Sequence, residues 1–99
     1  MTKVGAGGVV ITSWSTRARF DKDYDKLTPQ LKNKVDQKLE DLTKNPMPAG
    51  LRFEKLSGRH NPSIFTVHIT GNYKMSMEIE SSEAILRRVG THNDIDRAP

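Results

Sequence analysis

Ile64-Phe65-Thr66-Val67-His68-Ile69-Thr70-Gly71-Asn72-Tyr73-Lys74-Met75-Ser76-Met77-Glu78-Ile79 decides the fold. Phe65, Val67 and Ile69 alternate with Ile64, Thr66, His68 and Thr70, and Tyr73, Met75, Met77 and Ile79 alternate with Lys74, Ser76 and Glu78. A period of two on both sides of Gly71-Asn72 marks a hairpin with one buried face. Two registers compete. A two-residue loop, Gly71-Asn72, pairs His68 with Met75 and sets a polar stripe against an apolar one. A three-residue loop, Thr70 to Asn72, pairs Ile69 with Tyr73, Val67 with Met75 and Phe65 with Met77, so the apolar faces agree. The second register is expected, with Gly71 or Asn72 in the left-handed conformation. It sets His68 across from Lys74 on the polar face, with Cβ atoms about 5 Å apart.

The pattern extends in both directions. Leu51-Arg52-Phe53-Glu54-Lys55-Leu56-Ser57-Gly58 leads into the strands, and a last strand from Ala84 to Val89 follows Ser81-Ser82-Glu83. Upstream the period becomes helical. Phe20, Tyr24 and Leu27 fall at i, i+4, i+7, and Leu31, Val35, Leu39 and Leu42 form a second apolar stripe. Thr28-Pro29 caps and opens that second helix, and Pro46 and Pro48 prevent its continuation past Lys44-Asn45. Lys32, Lys34, Lys38, Asp36, Glu40 and Asp41 lie off the stripe and read as a solvated face. Val9-Val10-Ile11-Thr12-Ser13-Trp14 is β-branched and aromatic and reads as a first strand. The expected fold is α+β: two N-terminal helices packed on a mostly antiparallel sheet of four to five strands. Residues 1–8, with Gly5, Gly7 and Gly8, read as a flexible leader, and residues 9–99 as a single domain.

Composition narrows the function classes. The chain has 99 residues, no cysteine and a formal charge of +4. The absence of cysteine removes disulfides and thiolate metal sites and fits a reducing compartment. The positive balance suits acidic partners such as nucleic acid, and equally an ordinary solvated surface. Val9-Val10-Ile11 is far too short for a membrane span. Scattered histidines give no zinc pattern, Gly5-Ala6-Gly7-Gly8 lacks the lysine of a phosphate loop, and no nucleophilic serine motif is present. No cofactor is expected. What remains is a set of imidazoles, ammonium groups and guanidinium groups gathered on a small sheet. These groups suit binding and metal-free cleavage of a phosphodiester, and they also suit plain solubility.

Several segments resemble the RelE/ParE-like toxin superfamily of type II toxin–antitoxin systems. They are Phe20-Asp21-Lys22-Asp23-Tyr24-Asp25-Lys26-Leu27, Leu42 to Pro46, Leu51 to Gly58, Ile64-Phe65-Thr66-Val67 through Tyr73-Lys74, and Val89-Gly90-Thr91-His92-Asn93-Asp94-Ile95. Their order and spacing carry the likeness, from about Phe20 to Arg97. The resemblance implies a RelE-like fold, a cytoplasmic toxin, a cognate antitoxin and contact with operator DNA through that antitoxin. It also implies a metal-independent endoribonuclease that cleaves mRNA at the ribosome and inhibits translation. Two alternatives belong to the same superfamily: a ParE-type, gyrase-directed toxin without nuclease activity, and a catalytically inactive antitoxin-binding module. By position, His68 matches a strand lysine or histidine base, Lys74 matches a frequent arginine, and His92 matches a late arginine or histidine that serves as acid or phosphate ligand. Two positions depart from the family. Asp96 stands where many members carry tyrosine or phenylalanine, and Thr66 replaces a second strand lysine of some members.

The chemistry assigns roles. Cleavage at the ribose 2′-OH needs a base, an acid and cations on the developing phosphorane. Histidine titrates near neutrality and serves as base or acid. Lysine and arginine supply the electrostatic part. His68 and His92 are the expected pair, with His68 as base because repulsion from Lys74 lowers its pKa. Lys74 and Arg88 are the expected phosphate clamps, followed by Arg59, His60 and Lys55. Each has a plainer reading as a turn, a strand surface or a local ion pair; Lys55 follows Glu54 directly. Arg87 and Arg88 alternate and are expected to point to opposite faces, so at most one of them joins the site. Trp14 and Tyr73 suit base stacking, and a purely hydrophobic role suits them better.

Overall fold

The computed structural model describes residues 9–60 and 62–99, with the side chains of Ser57, Arg59 and His60 outside that description. The expected leader, residues 1–8, also lies outside the described residues. The chain order is β1 (Ser13–Thr16), α1 (Ala18–Asp25), α2 (Pro29–Leu42), β2 (Glu54–His60), β3 (Ser63–His68), β4 (Tyr73–Glu80), β5 (Glu83–Thr91) and α3 (His92–Arg97), with a 3₁₀ turn at Ala49–Leu51. The five strands form one sheet in the order β1-β5-β4-β3-β2. This is the expected α+β architecture, with β1 parallel to β5 and the other pairs antiparallel. No helix among the described residues is long and apolar enough to cross a membrane.

The hairpin takes the three-residue register. Phe65 pairs with Met77, Thr66 with Ser76, Val67 with Met75 and His68 with Lys74. The loop is closed differently from the expectation. Positive φ among the described residues occurs at Arg52, Gly58 and Ser81 rather than at Gly71 or Asn72. The Thr70 hydroxyl accepts hydrogen bonds from the Asn72 and Tyr73 backbone N–H groups at 3.1 and 3.2 Å. A side-chain acceptor therefore makes the turn, and no left-handed residue is needed.

The apolar residues of both periods meet in one core. Phe20 from α1 and Val35, Leu39 and Leu42 from α2 pack with Val67, Met75, Met77, Ala84, Leu86 and Val89 from the sheet. Thr28 caps α2 by accepting from the Leu31 N–H at 3.2 Å, and Pro29 follows as expected. Asp36 is not merely solvated: it accepts a 2.8 Å hydrogen bond from the Tyr24 hydroxyl and ties α2 to α1.

Two boundaries moved. The first strand begins at Ser13, not Val9, because pairing with β5 starts there (Ser13 opposite Glu83) while Ile11 is drawn into the core ahead of it. The last strand runs on to Thr91 and ends in a helix absent from the expectation. In that helix, α3, the Thr91 hydroxyl accepts from the Asp94 N–H at 3.2 Å, and Ile95 is fully buried. α3 packs on β4 and β5 on the side of the sheet away from the main core.

Candidate active site

Directly paired residues of an antiparallel sheet point to the same side. The register therefore places Glu54, Thr66, Ser76 and Arg88 in one row, with His68, Lys74 and Gly90 in the next, on the face opposite the core row of Val67, Met75 and Val89. Thr66, Lys74 and Ser76 are buried on that face, and α3 is what covers much of it.

His92 is the first residue of α3, and its backbone N–H donates to the Asn72 carbonyl at 3.0 Å. That bond ties the helix start to the β3–β4 loop. The His92 ring then meets the His68 ring edge to face, with centroids 4.8 Å apart and planes at 87°. Two histidines 24 positions apart in the chain thus form one contact pair. The His92 Nε2 is enclosed and has no hydrogen-bonding partner among the described residues. Burial is the main cause that pushes the His68 pKa below its ordinary value. The His92 ring and the Arg52 guanidinium lower it further, Glu54 opposes them, and Lys74 adds a lesser decrease. The expected direction is therefore found, but burial rather than Lys74 dominates it. An open depression of about 470 Å³ lies beside the pair, lined by Gly71, Asn72, Tyr73, Thr91, His92 and Asn93.

The cations are arranged less simply than the alternation implied. Lys74 lies across from His68 as expected, but its Nζ is 2.6 Å from the Asp96 carboxylate. Arg88 is held by Asp23, with Nε to Oδ2 at 3.0 Å and Nη2 to Oδ1 at 3.3 Å, and it donates to the Ala98 carbonyl. A bulge interrupts β5 here: Ser76 pairs with Arg88 and Met77 with Leu86, so Arg87 is the inserted residue. The expectation that Arg87 and Arg88 face opposite ways fails, since both reach the chain end: Arg87 donates to the Pro99 carbonyl and Arg88 to that of Ala98. Arg87 and Arg17 also share Glu78.

Lys55 pairs with Phe65, a residue packed against the main core, so it belongs to the face opposite His68. The side chains of Arg59 and His60 lie outside the described residues. In the backbone, His60 pairs with Ser63, at the end of β3 remote from His68 and about 17 Å from it at strand rise. Trp14 is exposed on the edge strand, and Tyr73 packs against the core.

Arg52 is a site residue that sequence reasoning missed. It stands exposed in the left-handed conformation (φ 54°, ψ 55°) at the entry to β2. Glu54 pairs with Thr66, so Arg52 lies at the His68 end of that strand pair, where its charge acts on the imidazole. Its spacing of two from Glu54 was the available signal. α3 also carried a signal, in the capping pattern Thr91-x-x-Asp94.

The fold has known counterparts. No protein-family model matches the chain, and no curated protein does. Solved structures do. The RelB–RelE antitoxin–toxin complex from Methanococcus jannaschii matches with a TM-score of 0.66 at 24% identity, over 85% of this chain and 98% of that one. The E. coli DinJ–YafQ toxin–antitoxin complex matches with a TM-score of 0.68 at 20% identity, over 83% and 93%. The toxin–antitoxin complex RelBE2 from Mycobacterium tuberculosis matches with a TM-score of 0.61 at 20% identity, over 84% and 100%. The chain has the RelE-like fold. Within that fold His68 and Lys74 sit on the sheet face and His92 meets His68 from the start of α3.

Proposed function

We propose that this RelE-like domain is the toxin of a toxin–antitoxin pair. In this reading it is a metal-independent endoribonuclease that cleaves mRNA at the ribosome, inhibits translation in the cytoplasm and is neutralised by a cognate antitoxin that also contacts operator DNA. The observation that carries the reading is the 4.8 Å contact between His68 and His92 beside Lys74. The relatives solved as toxin–antitoxin complexes support the partner.

The chemistry follows from the residues. A depressed pKa keeps His68 neutral at pH 7, and a neutral imidazole accepts the proton of the ribose 2′-OH. The 2′-oxygen attacks the adjacent phosphorus, the bond to the 5′-oxygen breaks, and a 2′,3′-cyclic phosphate remains. His92, as the acid, gives a proton to the departing 5′-oxygen. Because Nε2 of His92 is enclosed, that proton is delivered from Nδ1. The two rings touch, so the phosphate lies across their outer edges rather than between them. Lys74 and Arg52 stabilise the extra negative charge of the phosphorane. DNA lacks the 2′-OH nucleophile, so the site selects RNA.

A second reading has a specific observation in its favour. Lys74 and Arg88 are both neutralised from within, by Asp96 and Asp23, as befits a binding module without nuclease activity. Pulse labelling after induced expression tests the proposal against its rivals. Protein synthesis falling before DNA synthesis supports the nuclease toxin. DNA synthesis falling first supports a gyrase-directed toxin, and no effect on either supports the binding module.

A further inference from the structure

Lys74 is the most enclosed cation of the site face: its side chain is 11% exposed, against 54% for its partner Asp96. The Asp96 carboxylate meets its ammonium group at 2.6 Å. Any phosphate that is to use Lys74 must take the place of that carboxylate. Asp96 itself is presented by α3, whose ends are fixed. Thr91 caps its first turn, and Arg87 and Arg88 hold the Pro99 and Ala98 carbonyls just beyond its last. A carboxylate fixed in this way competes at an effective concentration on the millimolar scale or above. One phosphodiester carries the same single charge as the carboxylate, so exchanging one for the other gains little.

We propose that Asp96 is a tethered competitor for the phosphate at Lys74 and thereby restricts the site to RNA strands long enough to be held at other cations as well. The inference rests on the RNA-binding part of the function proposed above. Arg52 supplies the second hold. It is exposed at the His68 end of β2, and no salt bridge engages it among the described residues, whereas Lys74, Arg87 and Arg88 are each paired with a carboxylate. A strand anchored there raises the local concentration of its next phosphates at Lys74 and displaces Asp96. A dinucleotide, with one phosphate, has no such anchor.

The test is binding, not cleavage, so it is separate from the nuclease chemistry. The probes are 2′-O-methylated uridine oligonucleotides of two and twelve nucleotides, which lack the nucleophile. Wild type, Asp96→Asn and Asp96→Ala are compared by calorimetry at matched salt and matched circular dichroism. Removing the competitor should tighten dinucleotide binding by about tenfold, as expected for a freed charged hydrogen-bonding group, and should narrow the gap between the two lengths. Lys74→Ala should abolish that gain when combined with Asp96→Ala. Unchanged dinucleotide affinity in both Asp96 variants, with the twelve-mer still bound, overturns the inference and leaves the RNA-binding reading standing. A gain that survives Lys74→Ala also overturns it, because the competition would then lie elsewhere. Failure of both probes to bind any variant overturns the inference together with the reading it rests on.

Discussion

His68 and His92 share an edge-to-face ring contact at 4.8 Å, and burial with the neighbouring His92 and Arg52 lowers the His68 pKa. The sign of the stability effect follows. Well above the ordinary value of 6.5, His68 is neutral in folded and unfolded chains alike. Below it, the unfolded chain binds a proton that the folded chain resists. Stability is therefore lost as pH falls from about 6.5 toward the depressed folded value. Urea midpoints measured from pH 7.5 to 5 should decline less steeply for His68→Gln than for wild type. Parallel profiles would show that His68 is not the group responsible.

Asp23 binds Arg88 through both carboxylate oxygens and also accepts from the Val89 N–H at 3.2 Å. It closes the β5 edge beyond the point where pairing with β1 ends at Thr16 and Leu86. Asp23→Ala leaves a guanidinium that is 17% exposed and a backbone donor without their acceptor. The expected loss is about 3 kcal/mol by urea denaturation. A loss below about 0.5 kcal/mol, the level of an ordinary surface substitution, would mean that this bridge holds nothing together.

Ser76 gives the opposite expectation. Its Oγ is fully buried and has no hydrogen-bonding partner among the described residues. Removing an unsatisfied buried hydroxyl costs no hydrogen bond and relieves its desolvation. Ser76→Ala should leave stability unchanged or raise it by about 1 kcal/mol. A loss of about 2 kcal/mol would reveal a partner for that hydroxyl.

Local patterns in the sequence carried the hairpin and the second helix. Val67 and Met75 could face one core only if the loop had three residues, and that choice alone set His68 opposite Lys74. Thr28 and Pro29 announced α2 in the same local way. The electrostatics of the site were not legible, because they depend on distant partners. Arg88 and Asp23 are 65 positions apart, and the bulge that sets Arg88 opposite Ser76 is a property of the strand pair rather than of either strand. Asp96 meets Lys74 only because α3 folds back over the sheet, and a six-residue helix has too few turns to show a period. The pairing of Lys74 with Asp96 was out of reach of a local reading for that reason, and the place of Arg52 beside His68 is likewise set by β2–β3 pairing.

α3 carries both His92 and Asp96, so its N-cap matters to the chemistry. Thr91→Ala removes the acceptor of the Asp94 N–H and should cost about 1 kcal/mol. Because His92 is the next residue, the variant should also slow cleavage while Thr91→Ser, which keeps the hydroxyl, restores both. Equal cleavage by Thr91→Ala and wild type would separate the cap from the site.

The central claim is that His68 and His92 act together on one phosphate. Primer extension on mRNA translated by purified ribosomes tests it most directly, with wild type, His68→Ala, His92→Ala and the double variant compared at matched circular dichroism. Each single substitution should slow cleavage by about 10²–10⁴-fold, and the double variant should lose less than the product of the two. Wild type that cuts while both single variants cut equally fast would contradict the account.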